Sequence, residues 1–229
     1  MENLISYIPI LMKGTLVTVE LGILSLVLSV VLGLLGAWGK LSKSRVGQSV
    51  SGIYTTLIRG IPDLVLMLLL YFGGQTLLND IGESTGLWGY VEINQFTAGV
   101  LTIGFIFGAY MTETFRGAFL AVPPGQLEAG TAYGMRKAQI FRRIIWPQLI
   151  RFALPSFGNN WLVLLKTTAL VSVIGLQDVV YLANTAGRTT HEPFTFFGAV
   201  LLIYLILSSV SDVGLRWLDR KYSAGVRRV

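Results

Sequence analysis

Long apolar runs alternate with short charged segments along this chain. One run, from Leu21 to Gly39, carries no charge, and four further runs of mostly apolar residues follow it. A helix needs about 20 mostly apolar residues to cross the hydrocarbon core of a bilayer, and it must satisfy its own backbone hydrogen bonds there. The pattern therefore predicts an all-α membrane protein with about five transmembrane helices. The predicted spans are residues 15–38, 54–78, 96–120, 154–182 and 193–218.

Composition supports the membrane assignment and argues against several other classes of protein. The chain has 229 residues, of which 53% are hydrophobic and 13% are charged, whereas a soluble domain is about 25% charged. It has no cysteine and a single histidine, His191, so disulfides and clustered Cys/His metal sites are excluded. The net charge of +6 lies in short clusters between apolar runs. This arrangement favours a membrane surface over a nucleic-acid partner.

Basic residues are unequally distributed among the predicted connections. On one side of the membrane the connections hold only Lys13 and Arg188, against several acidic residues. The connections on the other side hold Lys40, Lys43, Arg45, Arg136, Lys137, Arg142, Arg143, Arg151, Arg220, Lys221, Arg227 and Arg228. Because cytoplasmic connections are rich in Lys and Arg, we expect the N-terminus outside and the C-terminus inside. We interpret residues 1–229 as one domain whose first span is retained rather than cleaved.

The connection between the third and fourth predicted spans, residues 121–151, is longer than neighbouring helices require. It is basic, so we expect it to face the cytoplasm. We predict a short helix over 126–133, a sharp turn at Gly134, and an amphipathic helix over 135–146 that is stopped by Pro147. The pattern leaves two interpretations open: a helix pair resting on anionic lipid, or a docking element for a cytoplasmic partner.

The spacing of residues within this connection resembles a known motif. The run is Glu128-Ala129-Gly130, three residues, Gly134, nine residues, and then Ile144-Ile145-Trp146-Pro147. It resembles the EAA loop of ABC importer permeases, whose pattern is Glu-Ala-Ala, three residues, Gly, nine residues and Ile-x-Leu-Pro. Gly130 replaces the third-position Ala and Trp146 replaces the Leu. The agreement over 20 positions favours the docking interpretation.

Other segments resemble the polar amino acid branch of the same permease family, over roughly residues 12 to 225, with a family core of about 12–212. The closest resemblance is to the Q-type membrane subunit of the histidine and lysine/arginine/ornithine importers, and the octopine and nopaline permeases are near relatives. The segments that carry it are Gly14–Glu20, Leu57–Leu66, Thr112–Gly117 and Lys166–Ser172.

The resemblance implies a type I ABC importer transmembrane domain in the bacterial inner membrane, crossing it several times and forming half of a pore for polar, chiefly basic, amino acids. Expected partners are a homologous M-type subunit or a second copy of the chain, two ATP-binding subunits, a periplasmic or extracellular binding protein, and lipid. The residues it assigns to coupling with the ATPase are Glu128, Ala129, Gly130, Gly134, Ile144 and Pro147.

The chain lacks a phosphate-binding loop of the usual form. The nearest candidate is Gly39-Lys40, which has Leu34 where the first Gly belongs and Leu41 in place of Ser or Thr. No nucleophile–base pair or metal cluster stands out either. We therefore expect no catalytic residue and no cofactor in this chain, which is not an enzyme, and we expect the partner ATPase to bind ATP and Mg²⁺.

Ionisable residues inside membrane spans usually face a cavity or a partner. The fourth predicted span is unusually polar, and the resemblance places substrate partly on it. Thr168, Ser172 and Gly175 would share one face of an α-helix, and the Asp178 carboxylate could meet a cationic amino acid near the outer end. Glu113 is a second, poorer candidate, and a helix cap or an interhelical pair is the alternative role for Asp178. The pathway candidates are Asp178, Gln177, Ser172, Thr168 and Glu113.

Two other functions fit a polytopic membrane protein. A transporter driven by an ion gradient would explain carboxylates within the spans, but five spans without inverted repeats argue against it. A membrane scaffold would recruit a cytoplasmic complex, but it leaves the polarity inside the spans unexplained.

Overall fold

The computed structural model describes residues 2–223, which form helices joined by short connections. Arg227 and Arg228, two of the predicted inner basic residues, lie outside the described residues. The helices are α1 (Glu2–Leu41), α2 (Arg45–Gly60), α3 (Asp63–Leu68), α4 (Gly74–Thr85), α5 (Gln95–Leu120), α6 (Pro124–Ala132), α7 (Lys137–Ile140), α8 (Trp146–Thr167), α9 (Val179–Thr190) and α10 (Pro193–Ser223). A π-helical stretch joins α3 to α4, a second joins α7 to α8, and a 3-10 stretch extends α8; these are Leu69–Gly73, Phe141–Ile145 and Thr168–Ile174.

Five of the helical stretches are long and apolar enough to cross a membrane. Within residues 2–223 there is no β-strand. The predicted all-α architecture with five membrane helices is therefore confirmed. The five stretches are Leu4–Leu41, Asp63–Thr85, Gln95–Leu120, Lys137–Ile174 and Pro193–Tyr222.

The centre of the fold is the pair α1 and α5, which run in the same direction. Small residues allow the two helices to approach closely. A Cβ atom at Gly36 would overlap the Thr112 side chain, and one at Gly104 would lie 2.6 Å from the Leu28 Cδ2 atom. Contacts of this kind repeat along the pair, so α5 becomes the most buried of the five membrane helices.

The second predicted span, 54–78, falls on two separate helices. Ile61 is extended, with φ −112° and ψ 139°, and it separates α2 from the membrane helix that starts at Asp63. The residue before a proline is driven out of the α conformation, and here that proline is Pro62. The amphipathic α2 therefore packs against α1 and α5 as an independent element.

The predicted stop at Pro147 is wrong. The chain stays helical from Lys137 to Ile174, and Pro147 lies in the first turn of α8. Proline lacks an N–H group and is tolerated in a first turn. Immediately before it, the Trp146 N–H donates to the Phe141 carbonyl five residues earlier, which is the π-helical pattern. The π-helical stretch takes up the distortion, so the fourth membrane helix begins inside the connection.

The fourth predicted span, 154–182, is also divided. Its helix ends at Gly175, which has φ 89°, and the chain then turns into α9. That short helix packs between the N-terminal half of α1 and the start of α10. A Cβ atom at Gly14 would lie only 2.8 Å from the Val179 Cα atom, so α1 and α9 are in close contact.

Candidate functional site

The predicted coupling residues lie on a compact unit at the start of the fourth membrane helix. Helix α6 rests on that helix through Gly130, where a Cβ atom would lie 2.9 Å from the Ile144 Cδ1 atom. The Gln148 side chain donates a hydrogen bond of 2.5 Å to the Gln126 side chain and another to the Ile144 carbonyl. These contacts tie α6 to a membrane helix.

The unit presents some of its candidate residues outward and holds others inside. Glu128 and Ala129 are exposed, as is Pro147, whereas Gly130 is buried and Ile144 is partly buried. The third position of the motif therefore packs within the chain, where a residue without a side chain leaves room for isoleucine. Glu128 remains available to a partner.

Gly134 forms the turn that follows α6. Its φ of 73° lies in the left-handed region, and the surrounding space is open. The Gly134 N–H donates to the Thr131 carbonyl at 2.9 Å, and the Met135 N–H donates to the Gly130 carbonyl at 3.0 Å. The predicted turn at Gly134 is present, and it requires glycine for backbone conformation rather than for lack of space.

Asp178 is fully buried and caps α9. One carboxylate oxygen accepts a hydrogen bond of 2.8 Å from the Tyr181 N–H, and the other has no hydrogen-bond partner within residues 2–223. Asp178 lies between two membrane-spanning stretches, and burial raises its pKa to about 6. In this conformation Asp178 therefore has the alternative, capping role and does not present a free charge to a substrate.

The shared face predicted for Thr168, Ser172 and Gly175 is wrong, because this stretch is a 3-10 helix with three residues per turn. Thr168 is fully buried, where its hydroxyl donates to the Leu165 carbonyl at 2.6 Å and lies 3.2 Å from the Tyr204 hydroxyl. Ser172 is partly buried. Gln177, in the following turn, is exposed.

Glu113 lies at the meeting point of α1 and α5. The Lys40 Nζ atom, from the last turn of α1, contacts one carboxylate oxygen. The Arg116 Nε atom donates to the other at 2.9 Å. The Lys40 and Glu113 side chains are 18% and 21% exposed, so water screens this ion pair less than a surface pair.

Two adjoining polar cavities, of about 440 and 480 Å³, meet at this carboxylate, and together they are called here the Glu113 cavity. Both are lined by Arg59, Tyr110 and Glu113. The Arg59 guanidinium lies 5.3 Å from the centre of the Tyr110 ring. The remaining lining residues are Lys40, Thr55, Thr56, Gly60, Thr114, Pro155, Ser156, Asn159 and Asn160.

The structure thus brings Glu113 into a polar cavity and holds Asp178 and Thr168 in helix packing. Sequence reasoning missed the amides of α8, one of which, Asn160, donates a 3.0 Å hydrogen bond to Thr114. A signal was present: Ser156, Asn159 and Asn160 are polar residues spaced by three and four in an apolar helix.

Comparison with known proteins gives a consistent result. The family model described as "binding-protein-dependent transport system inner membrane component" matches residues 29–224. The chain is 53% identical over 219 residues to the histidine/lysine/arginine/ornithine transport system permease protein HisQ of Escherichia coli (strain K12), covering 96% of each chain. It is 39% identical to the octopine transport system permease protein OccQ of Rhizobium meliloti, over 95% of this chain and 92% of the relative.

A solved structure is similar over nearly the whole length. It is a chain from a crystal structure of an amino acid ABC transporter with histidines. The TM-score is 0.79 at 32% identity, and the match covers 95% of this chain and 96% of that one.

Proposed function

Because the chain belongs to the family of inner membrane components of binding-protein-dependent transport systems, we propose that it forms half of a pore for basic amino acids. It is a permease subunit of an ABC amino acid importer in the inner membrane. It moves a solute and does not catalyse a reaction.

The proposed substrates are basic amino acids: histidine, lysine, arginine, ornithine or an opine-like compound. The observation that carries this proposal is the 53% identity with a permease named for histidine, lysine, arginine and ornithine, over 96% of both chains. The octopine permease adds a second relative, whose named substrate is an opine. A carboxylate in a polar cavity is a suitable ligand for such cations.

We place the membrane part of the substrate pathway at the Glu113 cavity. For the outer part we retain Thr168, Ser172, Gln177 and Asp178. Thr168 and Asp178 are fully buried against neighbouring helices, so their contact with substrate requires those helices to separate.

Coupling to ATP hydrolysis is assigned to the unit formed by α6, Gly134 and the start of the fourth membrane helix. The exposed Glu128 and Ala129 suit contact with a cytoplasmic partner. The hydrogen bond between Gln126 and Gln148 supports transmission of its movement. This assignment requires the N-terminus outside and the C-terminus inside, as the distribution of Lys and Arg predicts.

The proposed assembly contains two ATP-binding subunits, which supply ATP and Mg²⁺, and a second permease subunit, either M-type or another copy of this chain. A periplasmic or extracellular binding protein delivers the amino acid. The family's description as binding-protein-dependent supports this last partner.

A substrate series tests this proposal. In the assembled transporter, uptake of arginine, lysine and histidine should exceed uptake of glutamine. The Glu113→Gln variant should raise the KM for arginine by roughly tenfold, since hydrogen bonds to charged groups contribute about 1.5–3 kcal/mol. Lys43→Gln, which removes an exposed charge nearby, is the control and should leave transport unchanged. Equal rates for arginine and glutamine in the wild-type transporter would rule out the proposed substrate class.

A further inference from the structure

The Glu113 carboxylate is surrounded by more positive charge than it can neutralise. Lys40 binds one of its oxygens and Arg116 the other, and Arg59 lines the same cavity. A basic amino acid that enters this cavity therefore finds its anionic partner already occupied. Binding through Glu113 requires one of these cations to leave.

Arg116 is a poor candidate for release. It lies three residues after Glu113 on the same helix, so the two side chains move together, and it lies outside the lining of the two cavities. Arg59 is held over the Tyr110 ring and makes no ion pair with Glu113 among the described contacts.

Lys40 has the properties of a cation that can be exchanged. It lines the cavity and comes from a different helix, in the last turn of α1. Its ammonium group is carried on a flexible four-carbon chain, which can reach the membrane surface from a helix end. Release of Lys40 therefore leaves α5 in place. The released ammonium group reaches water at the membrane surface and does not remain unpaired inside the membrane.

We infer that Lys40 is a built-in competitor of basic substrates: its ammonium group pairs with Glu113 while the cavity is empty, and the cationic side chain of an incoming amino acid displaces it. The exchange keeps Glu113 paired, because the arriving ammonium or guanidinium group replaces the departing one. A neutral amino acid brings no net charge and cannot complete this exchange. Lys40 therefore selectively weakens the binding of basic amino acids, and it keeps the Glu113 carboxylate paired while the cavity is empty.

This inference rests on the proposed function and is tested by kinetics in the assembled transporter. The Lys40→Gln variant should lower the KM for arginine by about fivefold. The reason is that the Lys40–Glu113 ion pair, which is partly shielded from water, no longer competes with the substrate for the carboxylate. The KM for glutamine should change little. Lys43→Gln removes the same charge from an exposed position of the adjoining connection and should change neither value. An unchanged arginine KM in Lys40→Gln, or an equal fall for both amino acids, overturns the inference.

A second measurement uses the unaltered transporter, in case the variant does not assemble. Labelling of Lys40 by an amine-reactive reagent, quantified by mass spectrometry, should increase with arginine and stay constant with glutamine. No increase with arginine overturns the inference even if ATP-driven arginine uptake is normal. Absence of ATP-driven amino acid uptake in the wild-type protein would instead count against the proposed function, so the two failures are distinguishable.

Discussion

Gly134 owes its importance to a backbone conformation rather than to lack of space. An L-residue in the left-handed region costs roughly 1–2 kcal/mol, and Asn tolerates it better than Val. Gly134→Val should change the turn after α6, lowering ATP-driven uptake several-fold while the protein remains in the membrane. Gly134→Asn, the matched control, should retain most of the uptake. Normal transport in Gly134→Val, measured as uptake per ATP hydrolysed, would contradict the role of this turn in coupling.

Asp178 has two proposed roles that separate on substitution. Asn can still cap α9, whereas Ala cannot, and loss of a cap costs about 1 kcal/mol. Asp178→Asn should therefore keep the melting temperature near the wild-type value while Asp178→Ala lowers it. If Asp178 also meets substrate, Asp178→Asn should lower arginine uptake more than glutamine uptake. An equal effect on both amino acids would leave Asp178 with the capping role alone.

At the scale of elements, the contact between α1 and α5 depends on glycine. Gly36 faces Thr112 with no room for a side chain, whereas a Cβ atom at Gly117 of α5 meets nothing within 4 Å. Gly36→Leu should destabilise the protein by about 1–3 kcal/mol, as overpacking of a tight interface does. Gly117→Ala should be neutral or slightly stabilising, because alanine favours helix more than glycine does. Thermal unfolding in detergent measures both, and equal stability of the two variants would refute this account of the interface.

The sequence predicted which segments cross the membrane better than where the elements begin and end. Apolar length decides the first question, and it is a property of about 20 neighbouring residues. Local backbone geometry decides the second. The extended residue before Pro62 was foreseeable from sequence, whereas Pro147 was misjudged because a π-helical stretch absorbed it.

The candidate sites also differ in how far the sequence predicts them. The turn at Gly134 could be predicted because glycine is the residue that adopts positive φ without strain. The Glu113 cavity could not, since it joins Lys40 of α1, Arg59 of α2 and residues of α5 and α8. The prediction that Thr168 and Ser172 share a face was wrong because a 3-10 helix replaces the expected α-helix.

At the scale of the whole molecule, α5 is mostly buried, whereas the second and fifth membrane helices are mostly exposed. A chain with this distribution of apolar surface needs lipid or another membrane subunit around it. This distribution suits the proposed half of a pore, whose second half comes from another subunit.

The most direct test of this account is to measure which source of energy drives uptake. The chain would be reconstituted in proteoliposomes with its ATP-binding subunits, second permease subunit and binding protein loaded with arginine. We expect arginine to accumulate when ATP is hydrolysed, and a proton or sodium gradient alone to drive none. Accumulation driven by such a gradient without ATP would contradict the account and favour a secondary transporter.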